Sequence, residues 1–483
     1  FHWFGVIAAN LFGRIDEFTL RFPSALFGMF GVLLTYFTGV RLWSERAGFI
    51  AAVVLLANVQ WWIGATNVQV DMTLAFFLSA SCIAFFFLYR DPAPSPWKAA
   101  GLAVLLACAT LAKGPLGIVV PGLGFLVFLG LRHDFAFIKQ LYPWRSGLFF
   151  LLLAGSWYLL ALWQGGEAFF IRQVIDENLR TATGEMGKPQ PLYYFVPVFF
   201  ANLSPWSLFA LPLALFWRRD RDRARLEVVY LLVWLLTSFA VFSLSSGKRA
   251  IYILSLYPAA ALLWGAWWSE VEKNSLQADR LTLAIAYAVA TVYLLAVGGY
   301  FAWWWGWDVL RFFHMRQNLS SLARIIFQPT TVLRIGFLIS GVAVLVLFGA
   351  LWRRRLEYVF TAFAALAIFS VVIVKSAFYP VVARELTLKP FIERVSQIVE
   401  PSAPLYFYHA FDPGAILYSH RHVRSYEDFS ASTRAPFYLL MWEEEWARLN
   451  GSNGLTALAM SEGTGPARRH RMVLVRALEK IAL

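Results

Sequence analysis

The chain has 483 residues, of which 59% are hydrophobic, 17% aromatic and only 15% charged, with a formal net charge of +13 and a mean hydropathy of +0.59. A water-soluble domain of this length needs far more charge to cover its surface, so the composition excludes one. The surplus Lys and Arg sit in short loops between apolar runs, as membrane topology requires, which removes nucleic acid as the reason for the charge.

Residues 1–13 (FHWFGVIAANLFG) are apolar but too few to cross hydrocarbon, and read as a segment lying along the interface. No basic region or cleavage site accompanies them, so they are not a signal peptide, and the start at Phe1 reads as that of a fragment. Apolar runs then follow at 20–42, 47–64, 71–89, 98–112, 115–131, 146–163, 197–217, 227–244, 249–268, 281–303, 333–352 and 357–377. Many approach the roughly 20 residues that span a bilayer core. Lipid offers backbone amides no partner, so each run is expected to be helical. The fourth and fifth runs are short and separated only by Lys113-Gly114-Pro115, as in a broken pair. Trp61-Trp62, Trp267-Trp268 and Trp303-Trp304-Trp305 fall at run ends, where amphipathic rings sit at the bilayer interface. Cys82 and Cys108 lie inside apolar runs without ligand spacing and read as small buried residues.

Loop charge orients the runs. Alternate loops carry Arg41…Arg46, Arg90…Lys98, Arg132…Lys139…Arg145, the 218–225 stretch RRDRDRAR, Lys273…Arg280 and Arg353-Arg354-Arg355, and are expected on the cytoplasmic side. The opposite loops, 13–19, 65–70, 113–114, 164–196, 245–248 and 304–332, then face outward. The last run exits on that side, so residues 378–483 are expected as an external domain. This tail is more polar and alternates helical stretches (386–399, 412–420) with β-rich runs (404–408, 436–441, 471–476), the pattern of a small α/β domain. Glu443-Glu444-Glu445 reads as a solvated helix face. The expected fold is therefore an all-α polytopic membrane bundle of about twelve visible transmembrane helices with a small C-terminal α/β extracytoplasmic domain. Its divisions are an interfacial segment at 1–19, a membrane domain at 20–377 and the external domain at 378–483.

Ionisable groups near membrane depth are functional candidates by default. Asp71 opens a run on the outer side, where it either complements the helix dipole or belongs to a polar site. Lys113 either snorkels to headgroups or, beside Gly114 and Pro115, is aimed by a helix break into a cavity. Loop 164–196 carries Glu167, Asp176-Glu177, Arg180, Glu185 and Lys188, which read singly as solvated charges, while the Asp176-Glu177 pair followed by Arg180 offers a cation and a phosphate a site. In 245–252 (SSGKRAIY) a tight turn delivers Lys248 and Arg249 to the start of a run. Tyr252 is expected on the same helical side as Lys248, which suits a phosphate at the bilayer edge. Arg21 either contacts phosphate or anchors at the interface. All of these charges lie at one depth and none lies mid-span, so a lipid-linked phosphate fits them better than an ion pathway.

The stretches Phe1–Phe30, Val68–Phe77 (VQVDMTLAFF), Thr110–Pro121 (TLAKGPLGIVVP), Asp176–Trp206 and Phe242–Pro258 (FSLSSGKRAIYILSLYP) together resemble the bacterial lipid A aminoarabinose transferases and, more loosely, the protein O-mannosyltransferases. Both are GT-C integral-membrane glycosyltransferases. The resemblance implies about thirteen spans in the full length, one of them upstream. It also implies transfer of a sugar from a polyprenyl-phosphate carrier to a lipid A, protein or glycan acceptor at the periplasmic face of the bacterial inner membrane. By the same resemblance Lys248, Tyr252 and Arg180 bind the carrier phosphate, joined by Lys113 and Arg21. Asp71 and Glu177 are supporting acids that could meet a divalent metal, although Asn178 stands where the transferases show His, and no cofactor is required. The catalytic carboxylate of the family falls before Phe1. A lipid-linked sugar transporter or flippase, or a degenerate membrane scaffold, are the competing readings of the same residues.

Overall fold

The computed structural model describes residues 2–171, 190–219, 226–273, 280–305, 331–426, 436–449, 454–465 and 470–478. The chain divides into two compact units, Phe1–Trp305 with Phe337–Val371, and Gly306–Gly336 with Val372–Leu483.

The first unit is helical. Helix α1 (His2–Phe12) is followed by α2 (Glu17–Leu42), α3 (Glu45–Leu56), α4 (Val59–Thr66), α5 (Val70–Arg90), α6 (Pro96–Lys113) and α7 (Leu116–Arg132). Polar residues at run edges set these boundaries. The Asp16 carboxylate accepts the Thr19 N–H and the Thr19 hydroxyl accepts the Asp16 N–H, a capping box that starts α2 before the expected residue 20. Ser44 caps α3, and Ser95 caps α6 with Pro96 at its first position.

Two runs that read as continuous are bent. The 47–64 run splits into α3 and α4, inclined at 67°, because the Asn58 side chain accepts the Trp61 N–H at 2.8 Å and starts a new helix there. The 197–217 run splits into Leu192–Asn202 and Trp206–Arg218 at 104°, around Pro205, which has no N–H with which to continue a helical ladder. Among the described residues eight helices are long and apolar enough to cross a membrane, or up to ten if each bent pair is one span. Many of their large apolar side chains, among them Leu159, Leu236, Val292 and Leu345, point away from the protein, as hydrocarbon-facing residues do.

Close backbone approach joins the helices where α2 turns into α3. A Cβ at Gly39 would sit 2.6 Å from the Gly48 Cα, and one at Gly265 would sit 2.5 Å from the Ala47 carbonyl oxygen and 2.8 Å from the Ala51 Cβ. Small residues thus let α2, α3 and the helix Tyr257–Lys273 touch main chain to main chain. Around this contact Trp206 stacks on Phe360 at 5.3 Å and Phe209 meets Trp268 edge-on at 5.4 Å. Elsewhere Phe85 stacks on Phe125 at 3.9 Å, and the buried Tyr230 hydroxyl donates to the Cys82 carbonyl at 2.6 Å.

The second unit contains a five-stranded sheet of order β2-β1-β3-β5-β4, with β1 (Leu405–Phe407), β2 (Arg424–Ser425), β3 (Phe437–Trp442), β4 (Leu455–Thr464) and β5 (Arg471–Ala477). Strand β1 runs parallel to β2 and β3, while β5 pairs antiparallel with both β3 and β4. Phe407, Leu440, Trp442 and Leu474 pack with Phe391, Ile392 and Val395 of the helix Lys389–Ile398. Tyr426, Leu439, Met441, Val473 and Val475 form a second cluster, with Trp446 and Leu449 of the helix Glu443–Leu449 against it. Covering both faces explains why β3 (FYLLMW) is continuously apolar. Strand β4, interrupted by register shifts, escapes the sequence pattern because its residues, LTALAMSEGT, contain few β-formers.

Gly265→Val should destabilise the first unit by about 1–3 kcal/mol, because the added carbons meet backbone that cannot yield. Thermal unfolding of the detergent-solubilised protein, compared with Gly101→Ala, whose Cβ meets open space, checks this.

Candidate active site

Three separate pieces of chain meet where the end of α6 returns to the start of α5. Helices α5 and α6 form a hairpin, so the last residue of α6, Lys113, returns beside the first turn of α5, which holds Asp71. The start of α5 is fixed from α2: the Ser24 hydroxyl accepts the Gln69 N–H at 3.2 Å and donates to the Gln69 carbonyl at 3.4 Å. Helix α6 ends because Gly114 takes φ +73°, a left-handed value that costs glycine nothing, and its N–H donates to the Thr110 carbonyl at 2.7 Å. Helix α7 then turns back at once, and a Cβ on Gly117 would fall 2.2 Å from the Thr110 nitrogen.

Lys113 donates to the Asp71 carboxylate in a half-buried ion pair. Its ammonium also lies 4.1 Å from the centre of the Tyr252 ring. Tyr252 belongs to a 3-10 turn, Ala250–Leu256, seated against α4 and α5, with Ile251 and Leu254 beside Gly64. Sequence spacing placed Lys248 and Tyr252 on one side of a helix. The backbone overturns that placement, since Arg249 is extended (φ −131°, ψ 142°) and the helical turn begins only at Ala250.

Lys248 is nevertheless held close by in the chain and is 9% exposed. Its ammonium donates to the Gln190 carbonyl at 3.0 Å, and the Gln190 N–H donates to the Ser246 carbonyl at 3.1 Å, so residue 190 and the 245–248 turn are mutually pinned. Among the described residues no carboxylate faces Lys248. An ammonium has three donors, so an enclosed cation with a single neutral partner retains capacity for an anion.

Arg21 lies on the second turn of α2, half exposed, 3.6 Å from Glu17, and the described contacts do not bring it to the Asp71–Lys113–Tyr252 group. Arg180 and Glu177 lie outside the described residues. Among the described residues no three His, Cys, Asp or Glu side chains gather as metal ligands would. Ser24, Gln69 and Gln190 escaped the sequence reading, the last because a main-chain carbonyl has no sequence signature.

Comparison with known proteins agrees with this architecture. Residues 1–159 match the dolichyl-phosphate-mannose-protein mannosyltransferase family model. An uncharacterised protein of Aquifex aeolicus is 29% identical over 265 residues, 55% of this chain and 58% of that protein. An undecaprenyl phosphate-alpha-4-amino-4-deoxy-L-arabinose arabinosyl transferase of Aeromonas hydrophila is 25% identical over 269 residues, 55% of this chain and 48% of the relative. The crystal structure of ArnT from Cupriavidus metallidurans bound to undecaprenyl phosphate superposes with a TM-score of 0.77 at 19% identity, covering 100% of this chain and 88% of that one. The chain resembles the aminoarabinose transferases and has the ArnT fold. It spans about half the length of the curated relatives it matches. With that fold go the eight to ten helices, among the described residues, that are long and apolar enough to cross a membrane.

Removing one partner of the Asp71–Lys113 pair strands the other at a half-buried position. Asp71→Asn and Lys113→Met should therefore each lower thermal stability, while the double variant loses less than their sum. The coupling should be about 1–3 kcal/mol, read from unfolding midpoints of the two single variants and the double.

Proposed function

We propose that this chain carries the membrane domain of a glycosyltransferase that moves a sugar from a polyprenyl-phosphate carrier to a lipid A, protein or glycan acceptor on the periplasmic side of the bacterial inner membrane. Support comes from the ArnT fold and from relatives named as undecaprenyl-phosphate-linked arabinosyl transferases. The observation that carries the reading is Lys248, an enclosed ammonium whose one described partner is neutral, in the segment that also supplies Tyr252.

The chemistry follows from that placement. The carrier phosphate is the leaving group, so negative charge develops on its oxygens as the glycosidic bond breaks. Cations fixed beforehand beside those oxygens stabilise that charge without reorganisation. Lys248 is assigned this contact, with Arg180 joining it from the 164–196 loop and Arg21 a peripheral cation. Lys113, neutralised by Asp71 and resting on the Tyr252 ring, is a positioning group that holds Tyr252 in place so that its hydroxyl can meet the phosphate. Glu177 is an acid available to the acceptor side. We place residues 1–19 at the outer interface, residues 20–377 across the bilayer in twelve passages with the bent pairs counted singly, and residues 378–483 in the periplasm. Alternation of the arginine-rich loops supports this orientation.

In the full-length protein, Lys248→Ala should reduce sugar transfer from the lipid donor by about a hundredfold, with Lys248→Arg retaining part of it. Release of free polyprenyl phosphate in proteoliposomes is the measurement. Normal turnover in Lys248→Ala would end the phosphate assignment, and labelling of cysteines at 41 and 248 from the same membrane face would end the orientation.

A further inference from the structure

At the opposite end of α5 and α6 the structure forms a pocket of about 760 Å³ that no part of the proposed transfer reaction uses. Three helix ends build its rim. Arg41 lies in the last turn of α2, Arg90 closes α5 and Lys98 lies in the first turn of α6. Below the rim the wall is apolar, with Phe87, Leu102 and Leu105. Trp97, next to Lys98 and 79% exposed, marks the headgroup level.

The rim charges are unequal. Lys98 pairs with Asp91 at 2.5 Å and Arg90 with Glu227 at 3.0 Å. The Lys98 ammonium holds the Asp91 carboxyl below its ordinary range, so that pair is ionised at neutral pH. Arg41 has no carboxylate partner among the described residues, and its guanidinium rests 5.8 Å from the centre of the Phe87 ring. Among the described residues three cations against two carboxylates leave one positive charge, and that charge sits over an apolar wall.

We propose that this pocket binds the phosphate monoanion of an anionic phospholipid from the leaflet facing the arginine-rich loops, with Arg41 on the phosphate and the acyl chains along Phe87, Leu102 and Leu105. One net positive charge at the rim matches one phosphodiester, and the apolar wall matches chains that free phosphate lacks. Basic pockets between transmembrane helices at the cytoplasmic leaflet suit such headgroups. Arg90 and Lys98, held by their carboxylates, define the rim without competing for the ligand. Gly101 is part of the lining, and a Cβ there would stand in open space with nothing within 4 Å.

Native mass spectrometry of the full-length protein in neutral detergent, titrated with phosphatidylglycerol or phosphatidylethanolamine, tests this. The unsubstituted protein should retain phosphatidylglycerol preferentially. Arg41→Gln should lower that retention roughly fivefold and leave phosphatidylethanolamine unchanged. Gly101→Leu, whose Cβ meets no neighbour and whose side chain adds bulk to the pocket lining, should lower retention of phosphatidylglycerol as well. Excess inorganic phosphate should not displace the lipid. Equal phosphatidylglycerol retention by all three proteins would overturn the site, and displacement by inorganic phosphate would overturn the lipid in favour of a free anion.

Discussion

Lipid gives no reward for pressing leucine against leucine, so a bundle in hydrocarbon depends on how closely its backbones can approach. In this chain that constraint is met where Gly39, Gly48 and Gly265 remove the side chains between α2, α3 and the helix Tyr257–Lys273. The approach is short enough for dispersion to act between main chains, and aromatic rings such as Trp206, Phe209 and Trp268 fill the space on either side. At the arginine-rich end of the same helices, Arg46 grips Glu272 through two hydrogen bonds of 2.7 and 2.8 Å, and the Trp268 indole donates to that carboxylate at 3.2 Å. Close backbone packing and charge-assisted bonds thus act side by side on the same pair of helices.

Both ends of the α5–α6 hairpin hold ion pairs, but they leave different residues of charge. Where α6 ends and α5 begins, Lys113 is neutralised by Asp71 and lies over the Tyr252 ring, while Lys248, in the segment that carries Tyr252, has the Gln190 carbonyl as its one partner among the described residues. At the other end Arg90 and Lys98 are neutralised, while Arg41 has no carboxylate partner among the described residues. The two ends of the hairpin thus differ in how completely the described carboxylates neutralise the cations beside them.

Much of this was readable in the residues. The apolar runs contain the helices, and the two that turned out bent do so at Asn58 and Pro205, where a capping side chain or a missing N–H outweighs continuity of hydropathy. The three β-rich runs of the tail became β1, β3 and β5, while β4, poor in β-branched residues, did not announce itself. The site was half legible. Asp71, Lys113, Lys248 and Tyr252 stood out as ionisable or hydroxyl groups at membrane edges. Their pairing did not, because Asp71 and Lys113 are brought together by a hairpin rather than by spacing, and because Arg249 breaks the helical geometry assumed between Lys248 and Tyr252.

The tie between Lys248 and residue 190 runs entirely through main-chain atoms on the glutamine side. Such a bond is blind to amino-acid identity. Relatives could carry almost any residue there and keep the lysine anchored, whereas proline alone, lacking the N–H that reaches Ser246, would break the second half of the clasp.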